Sequence, residues 1–479
     1  MRIPAVGPRA LVLVAAGAYA AGFSALSVLR HRAFHTGRFD LGNMVQSVWT
    51  TAHGDFLRMT DLRGHDISRL AAHFDPILAA FAPLWWIWPS PDLLLTVQAL
   101  AIAAGAVPVF WLARKHLASE RAALGFALAY LLYPPVQWLT LNEFHPVALA
   151  CPLLLFGFWY LDEDRLLPFA VCAVIAATTK EEIPLVVAAM GIWYAVSKRR
   201  WVTGAAIVGI GLLVSLIAIA VVVPHYSPHG TSRFYGRYGE VGGSPTAILG
   251  TLVHHPLRLL TTAFDHRGVH YLLDLALPLA ALCLLAPLVL VAALPELVLN
   301  LLSNAPTQTS IHFHYTAGLI PPLFVAAIFG AKRLMRLRTR AVAVPLAGVV
   351  LAAALVGNYR LGALPIWRDL PGGEALQARY AEMTPHAKLT AAALGRIPDG
   401  APVSATNSLG AHLSERKTFL SFPELRGAEW VAADETQLSF RDRGIAPLRA
   451  AKRLVLLRRN PSWRVVFERG GLVIFRRVA

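Results

Sequence analysis

Long stretches without a single charged side chain recur along this sequence and constrain its fold more than any motif does. They run from Ala10 to Leu29, Leu93 to Ala113, Ala122 to Leu141, Pro146 to Leu161, Leu166 to Thr179 and Ile183 to Ser197. Others run from Val202 to Val223, Leu275 to Leu294, Leu297 to Ile311, Tyr315 to Ala331 and Ala341 to Asn358. A backbone in hydrocarbon must satisfy its own hydrogen bonds, so an apolar stretch of roughly 20 residues reads as a membrane-spanning helix. The expected fold is therefore an all-α polytopic membrane protein with about eleven transmembrane helices. Several blocks are short for a full crossing, which implies helices that end beneath the surface around a polar cavity. Composition agrees: 56% of the 479 residues are hydrophobic and 15% are charged, against about 45–50% and about 25% in a soluble globular chain. The first block outruns the Ala18-Tyr19-Ala20 triplet that could mark a cleavage site, so it is read as an uncleaved first span.

Charge sets the expected orientation. Basic residues gather at Arg114, Lys115 and Arg121, at Arg165, at Lys198, Arg199 and Arg200, and from Lys332 to Arg340. Positive short loops stay in the cytoplasm, which places the N-terminus there and everything after Asn358 outside. The chain then divides into a transmembrane part, residues 1–358, with external loops 30–90 and 224–270, and an extracytoplasmic part, residues 359–479. Within loop 30–90 the Trp-rich run from His73 to Trp88 is expected to lie along the outer interface. The loop from Pro224 to His270 holds His225, Tyr226, His229, Arg233, Tyr235, Arg237 and Tyr238, a basic and aromatic set read as a solvated interfacial loop.

The last 121 residues carry 19 Lys and Arg against 11 Asp and Glu, about half of the chain's net charge of +16. Alternating patterns at Pro402 to Ala405, Lys417 to Phe422 and Glu429 to Ala433, with a hairpin from Trp463 to Phe475, predict a small α/β domain. Pro447 to Arg459 has helical spacing. The basic excess calls for an anionic neighbour, lipid headgroups or a phosphorylated ligand, and nucleic acid is not expected as a partner. Cys151, Cys172 and Cys283 lie inside apolar blocks and read as small core residues.

The polar residues that interrupt the apolar pattern fall in five clusters. These are Phe39-Asp40-Leu41-Gly42, His73-Phe74-Asp75-Pro76, Asn142-Glu143-Phe144-His145-Pro146, Thr179-Lys180-Glu181-Glu182 and His312-Phe313-His314-Tyr315. With the orientation above, all five emerge on the outer side. Ionisable groups at membrane depth face a cavity or one another. The candidate site residues are therefore Asp40, His73, Asp75, Glu143, His145, Lys180, Glu181, Glu182, His312 and His314. A desolvated carboxylate there can act as a general base, and Lys180 can neutralise a phosphate. The acids and histidines can also hold a divalent cation, although no metal-ligand spacing such as His-Glu-x-x-His occurs. No Walker loop, no Gly-x-Gly-x-x-Gly after a strand and no Gly-x-Ser-x-Gly is present, which argues against nucleotide-driven pumping and serine hydrolysis.

The same five segments, together with Ser404-Ala405-Thr406-Asn407 and His412-Leu413-Ser414, resemble a family of bacterial multi-pass membrane proteins of unknown function that is grouped with the GT-C glycosyltransferases. The resemblance covers nearly the whole chain. It implies a GT-C-like membrane domain, a polyprenyl-phosphate-linked sugar as donor, an acidic base in the first external loop, and a C-terminal domain that helps to bind acceptor. By that resemblance Asp40 is the base; it is followed by Leu41, where GT-C enzymes commonly have a second acid. The alternative is a transporter or lipid-binding membrane protein without catalysis, against which stands the gathering of polar groups on one side.

Overall fold

The computed structural model describes residues 7–228, 233–243, 245–367, 370–371, 381–436 and 447–478. His229 lies outside them, as do the side chains of Arg233 and Tyr235. Among the described residues, four helices are long and apolar enough to cross a membrane: Pro8–Arg32, Pro91–Leu117, Trp201–Tyr226 and Ala343–Leu361. Glu120–Leu132 and Pro134–Leu141 make a fifth when counted as one span, bent by 45°, because Pro134 and Pro135 supply no backbone donor at the junction. Shorter apolar helices at Pro146–Asp162, Leu166–Ala177, Ile183–Lys198 and Pro287–Leu301 complete much of the bundle with the buried helix Ile320–Leu337.

Two apolar blocks do not form single helices. Leu275 to Leu294 breaks into the tail of His266–Ala276 and the short turns Leu277–Leu279, Leu282–Leu285 and Pro287–Leu290. Pro278 and Pro287 interrupt the hydrogen-bond ladder, and Ala280 and Ala281 sit at φ 52° and 53°. Leu297 to Ile311 is helical only as far as Leu301. Beyond that point Ser303 and Gln308 bond to each other, and the chain runs irregularly past a cavity.

Small residues set one close helix contact. Gly191 and Gly204 face one another across Ile183–Lys198 and Trp201–Ile217, where a Cβ on Gly204 would come within 2.4 Å of the Ala195 Cβ. Without a hydrophobic driving force between helices in lipid, such close backbone approach supplies the packing. The first helix is tied into the bundle by Tyr19, whose hydroxyl shares a 2.7 Å hydrogen bond with the Thr140 hydroxyl.

One end of the bundle is clamped by Asp162. Its carboxylate pairs with Lys115 at 2.6 Å, His116 at 2.9 Å and Lys198 at 3.2 Å. Lys332 donates to the other nitrogen of His116 at 2.8 Å. The basic loops around Lys115, Lys198 and Lys332 therefore share one end, while the five polar clusters occupy the other.

The C-terminal part docks on that second end. Five strands, β3 (Val403–Ala405), β4 (Phe419–Ser421), β5 (Trp430–Asp434), β6 (Trp463–Arg469) and β7 (Leu472–Arg477), form a sheet of order β4-β3-β5-β7-β6. The pair β1 (Arg58–Thr60) and β2 (Asp66–Ser68) forms a separate hairpin in the first loop. Strand β3 runs parallel to β4 and β5, and β7 runs antiparallel to β5 and β6. Alternate side chains of β5 and β7 serve opposite faces. Trp430, Ala432, Leu472 and Ile474 pack under helix Pro385–Leu394, and Val431, Ala433, Val473 and Phe475 pack under Pro447–Arg459. Both faces are covered, which is why β5 is buried along its whole length. Phe34 joins the first of these cores, His412 stacks on His31 at 4.1 Å, and the His412 ring donates to the His31 carbonyl at 2.8 Å.

Asp162→Ala strands two lysines and a histidine. Lys115 and Lys198 are 35% and 29% exposed, so the expected loss is discounted to on the order of 2 kcal/mol. It is read as a lower unfolding temperature in detergent, and an unchanged temperature would show that the clamp is dispensable.

Candidate functional site

The site is built around a wide turn after the first helix. Arg38–Gly42 forms a five-residue π-type turn that presents Asp40. Short polar turns leave backbone donors exposed, and here three are taken by side chains. Gly37 and Leu41 donate to the Glu143 carboxylate at 3.1 and 2.9 Å. Phe39 donates to the Asn407 side-chain oxygen at 2.9 Å. The buried Arg38 guanidinium donates to the carbonyls of Thr60 at 2.5 Å and Phe419 at 2.8 Å, and so pins the turn to β1 and β4. Glu143 itself sits at φ 52°, a left-handed conformation uncommon for such a residue.

Asp40 projects from the turn into a cavity of about 450 Å³, within the range of ligand pockets. Its Oδ1 lies 3.5 Å from Nε2 of His145. The Nδ1 of His145 bonds the Asn142 carbonyl at 2.8 Å. A carbonyl only accepts, so Nδ1 carries a proton and Nε2 is the ring nitrogen that faces Asp40. The ring stacks on His314 at 3.8 Å, and Gln98 fixes its backbone amide at 2.9 Å.

Across the cavity, Lys180 pairs with Glu182 and lies 5.2 Å from the Tyr315 ring centre. Arg237 approaches the same ring at 5.7 Å and donates to the Tyr315 hydroxyl at 3.0 Å. His73 bonds Glu181 at 2.8 Å, and the second Glu181 oxygen accepts from the Phe74 amide at 2.9 Å. Burial works against ionisation of Glu181, yet His73, their hydrogen bond and Lys180 outweigh it and hold the carboxyl down at about 2. Asp75 is locked against Arg69 by three hydrogen bonds of 2.6 to 3.2 Å, with both side chains buried.

Asp40, His73, Asp75, His145, Lys180 and His314 thus line one cavity. Glu143 stands behind the Asp40 turn and acts on its backbone. Glu181 and Glu182 line a smaller adjoining cavity. His312 packs on Trp138 at 4.4 Å and lines neither. The sequence pattern does not single out Arg38, Arg69 or Asn407 as site residues and places Arg237 in a loop, although all four line the cavity. The signals available were the adjacency of Arg38 to Asp40 and the position of Asn407 in a family-like segment. Among the described residues, no three His, Cys, Asp or Glu side chains gather as a metal-ion site. Of the candidate acids, Asp75 is engaged with Arg69, Glu182 with Lys180, Glu181 with His73 and a backbone amide, and Glu143 with backbone amides.

A family model described as Predicted membrane protein (DUF2079) matches residues 30–474. The chain belongs to that family. Among solved structures, this DUF2079 protein resembles ArnT from Cupriavidus metallidurans bound to undecaprenyl phosphate, with a TM-score of 0.54 and 13% identity over 98% of each chain. The same protein in the apo state matches at 0.52 and 13%, over 97% of this chain and 98% of that one. At this identity the likeness is one of fold, and the fold is the GT-C membrane architecture with a small C-terminal sheet. No curated protein matches the sequence.

Burial, then the nearby Asp40, push the Glu143 carboxyl up to about 8 against the pull of the two backbone amides. A carboxyl protonated to higher pH in the folded chain than in the unfolded one gives stability that is complete below about pH 4.5 and lost as the pH rises through about 8. Glu143→Gln keeps an acceptor for Gly37 and Leu41 but cannot ionise, so thermal unfolding followed from about pH 5 to about pH 8 is expected to flatten. Glu143→Ala is expected to cost about 1–3 kcal/mol for each stranded amide at any pH. An unchanged pH dependence in the Gln variant would assign the effect to another group.

Proposed function

We propose that this protein transfers a sugar from a polyprenyl-phosphate-linked donor to a hydroxyl acceptor, with Asp40 as general base. The observation that carries the reading is one cavity at the helix ends that holds Asp40 together with two cations, Lys180 and Arg237. The ArnT likeness adds a fold seen with undecaprenyl phosphate bound in ArnT. In this reading the acceptor O–H bond breaks and its proton passes to Asp40. The acceptor oxygen attacks the anomeric carbon, and the bond from that carbon to the phosphate oxygen breaks with its electron pair going to the phosphate. Lys180 and Arg237 stabilise the charge that develops there. His145 accepts the proton from Asp40 through Nε2, which returns Asp40 to its basic form.

The membrane orientation belongs to the same proposal. The Asp162 end, with its basic loops, faces the cytoplasm, and the Asp40 cavity and residues 359–479 face outward. The C-terminal part reaches the cavity through Asn407, so it is placed to shape the acceptor side as well as to brace the turn.

Purified protein in lipid nanodiscs, given undecaprenyl-phosphoryl sugars and a cell-envelope glycan extract, tests the reading. Asp40→Asn is expected to lower transfer by about 100-fold or more, the usual scale for a lost general base. His145→Gln is expected to lower it by about tenfold and to change the pH profile of the rate. Transfer at the parental rate by a folded Asp40→Asn variant would overturn the base assignment.

A further inference from the structure

Beside the Asp40 cavity lies a second one of about 130 Å³, and the two share His73, Lys180, Arg237 and Tyr315 as walls. The smaller cavity adds Glu181, Glu182, Tyr238, Glu296, Asn300 and Gln308. Two of its acids are neutralised, Glu181 by His73 and the Phe74 amide, and Glu182 by Lys180. Glu296 is different. It projects from the apolar helix Leu294–Leu301 and is 3% exposed, and its Oε2 has no hydrogen-bond partner. The Gly318 amide faces the carboxyl, and a Cβ on Gly318 would come within 1.8 Å of Oε2. An intramembrane acid held this way is costly to keep unless it serves a site.

The neighbours specify what that site takes. Arg237 stands on the shared wall beside Lys180, which Glu182 already holds, so a bare cation beside Glu296 would meet the like charge of the guanidinium. An anion would meet the oxygens of the buried Glu296 carboxyl. A neutral group rich in hydroxyls meets neither obstacle, because each hydroxyl donates to a carboxylate or amide oxygen and accepts from a tyrosine or guanidinium. The space exceeds that of a single water, which occupies about 30 Å³ in the liquid, and is smaller than a drug-sized pocket.

We propose that this side cavity is the subsite for the glycosyl ring of the lipid-linked donor, with Glu296 accepting hydrogen bonds from ring hydroxyls. The phosphate then lies at the shared wall by Lys180 and Arg237, and the anomeric carbon faces the larger cavity and Asp40. This rests on the reading of the site as one for a polyprenyl-phosphate-linked sugar. It adds a binding residue, Glu296, that lies outside all five polar clusters.

Binding distinguishes the two claims without requiring turnover. The full chain in nanodiscs is titrated with undecaprenyl phosphate and with a panel of undecaprenyl-phosphoryl hexoses and pentoses. The expected result is that at least one sugar-bearing lipid binds tenfold or more tightly than the bare lipid phosphate. Glu296→Gln is expected to remove that margin while leaving affinity for undecaprenyl phosphate unchanged. Should Glu296→Gln fail to fold, Leu299→Trp fills the same cavity from its apolar side and is expected to act alike. If wild-type protein binds neither lipid, the donor reading itself fails. If it binds both equally, or if the folded variants keep the margin, the subsite assignment is overturned while the donor reading stands.

Discussion

The grip of Glu143 on the backbone of residues 37–41 is the interaction on which the rest of the site depends. A turn that leaves the first helix and must aim one carboxylate into a cavity has to place its backbone donors somewhere other than water. Glu143 takes two of them, Asn407 takes a third, and Arg38 fastens the turn to two strands that lie far apart in sequence. Three regions, near residues 38, 143 and 407, are thereby fixed by one constraint. Asp40 keeps its direction because nothing in that turn is free to rearrange without stranding a buried polar group. The left-handed backbone at Glu143 is consistent with this, since strain of that kind persists where the surroundings over-determine a residue.

The two ends of the helical part are held by opposite strategies. At the Asp162 end one carboxylate collects two lysines and a histidine, and a third lysine caps the histidine. All the groups there answer one another, and the result is a clamp. At the Asp40 end the charges are distributed around open volume, and several serve backbone amides or lie against aromatic rings. A bundle whose helices are drawn together at one end and separated at the other can hold a polar cavity without losing its packing. The proline-broken segment from Leu275 to Leu294 and the irregular run after Leu301 contribute to the open side, where continuous helices would fill the space.

Much of this fold was legible in the sequence, for identifiable reasons. Uncharged length marks helices, and Pro8–Arg32, Trp201–Tyr226 and Ala343–Leu361 follow their apolar blocks closely. Period-two alternation marks strands, and β3 to β7 lie where it predicted them, as does the helix Pro447–Arg459. What misleads is the absence of charge from Leu275 to Leu294 and from Leu297 to Ile311, since uncharged length does not weigh the prolines of the first stretch or the Asn, Ser, Thr and Gln residues of the second. For the site, the rule that polar residues at helix ends seek one another singled out Asp40, His145 and Lys180. It could not divide their labour. Whether Glu143 points into the cavity or into the backbone of residues 37–41 depends on a contact across more than a hundred positions. The cavity contribution of Asn407 spans more than three hundred and fifty. Glu296 carried no local signal at all, because one acid within an apolar helix looks the same whether it faces a cavity or a neighbouring helix.

The pairing of Lys180 with Glu182 gives the site a property that a list of cations would miss. A lysine held by a carboxylate and lying against an aromatic ring is not a free positive charge, and an incoming phosphate must compete with Glu182 for it. Arg237, turned on the same tyrosine, offers a planar fork that suits phosphate geometry better than a lysine does. Weakly attracting free anions while answering a phosphate that arrives already anchored in the bilayer is the behaviour such an arrangement favours. If the ligand is the proposed lipid-linked phosphate, its chain raises the effective concentration of the headgroup at the membrane surface, so the site need not bind phosphate tightly to be filled. In the proposed reading the compensated cations and the membrane location act together: the pairing keeps the charges tolerable in a low-dielectric wall, and a lipid-anchored donor would supply the local concentration that the pairing demands.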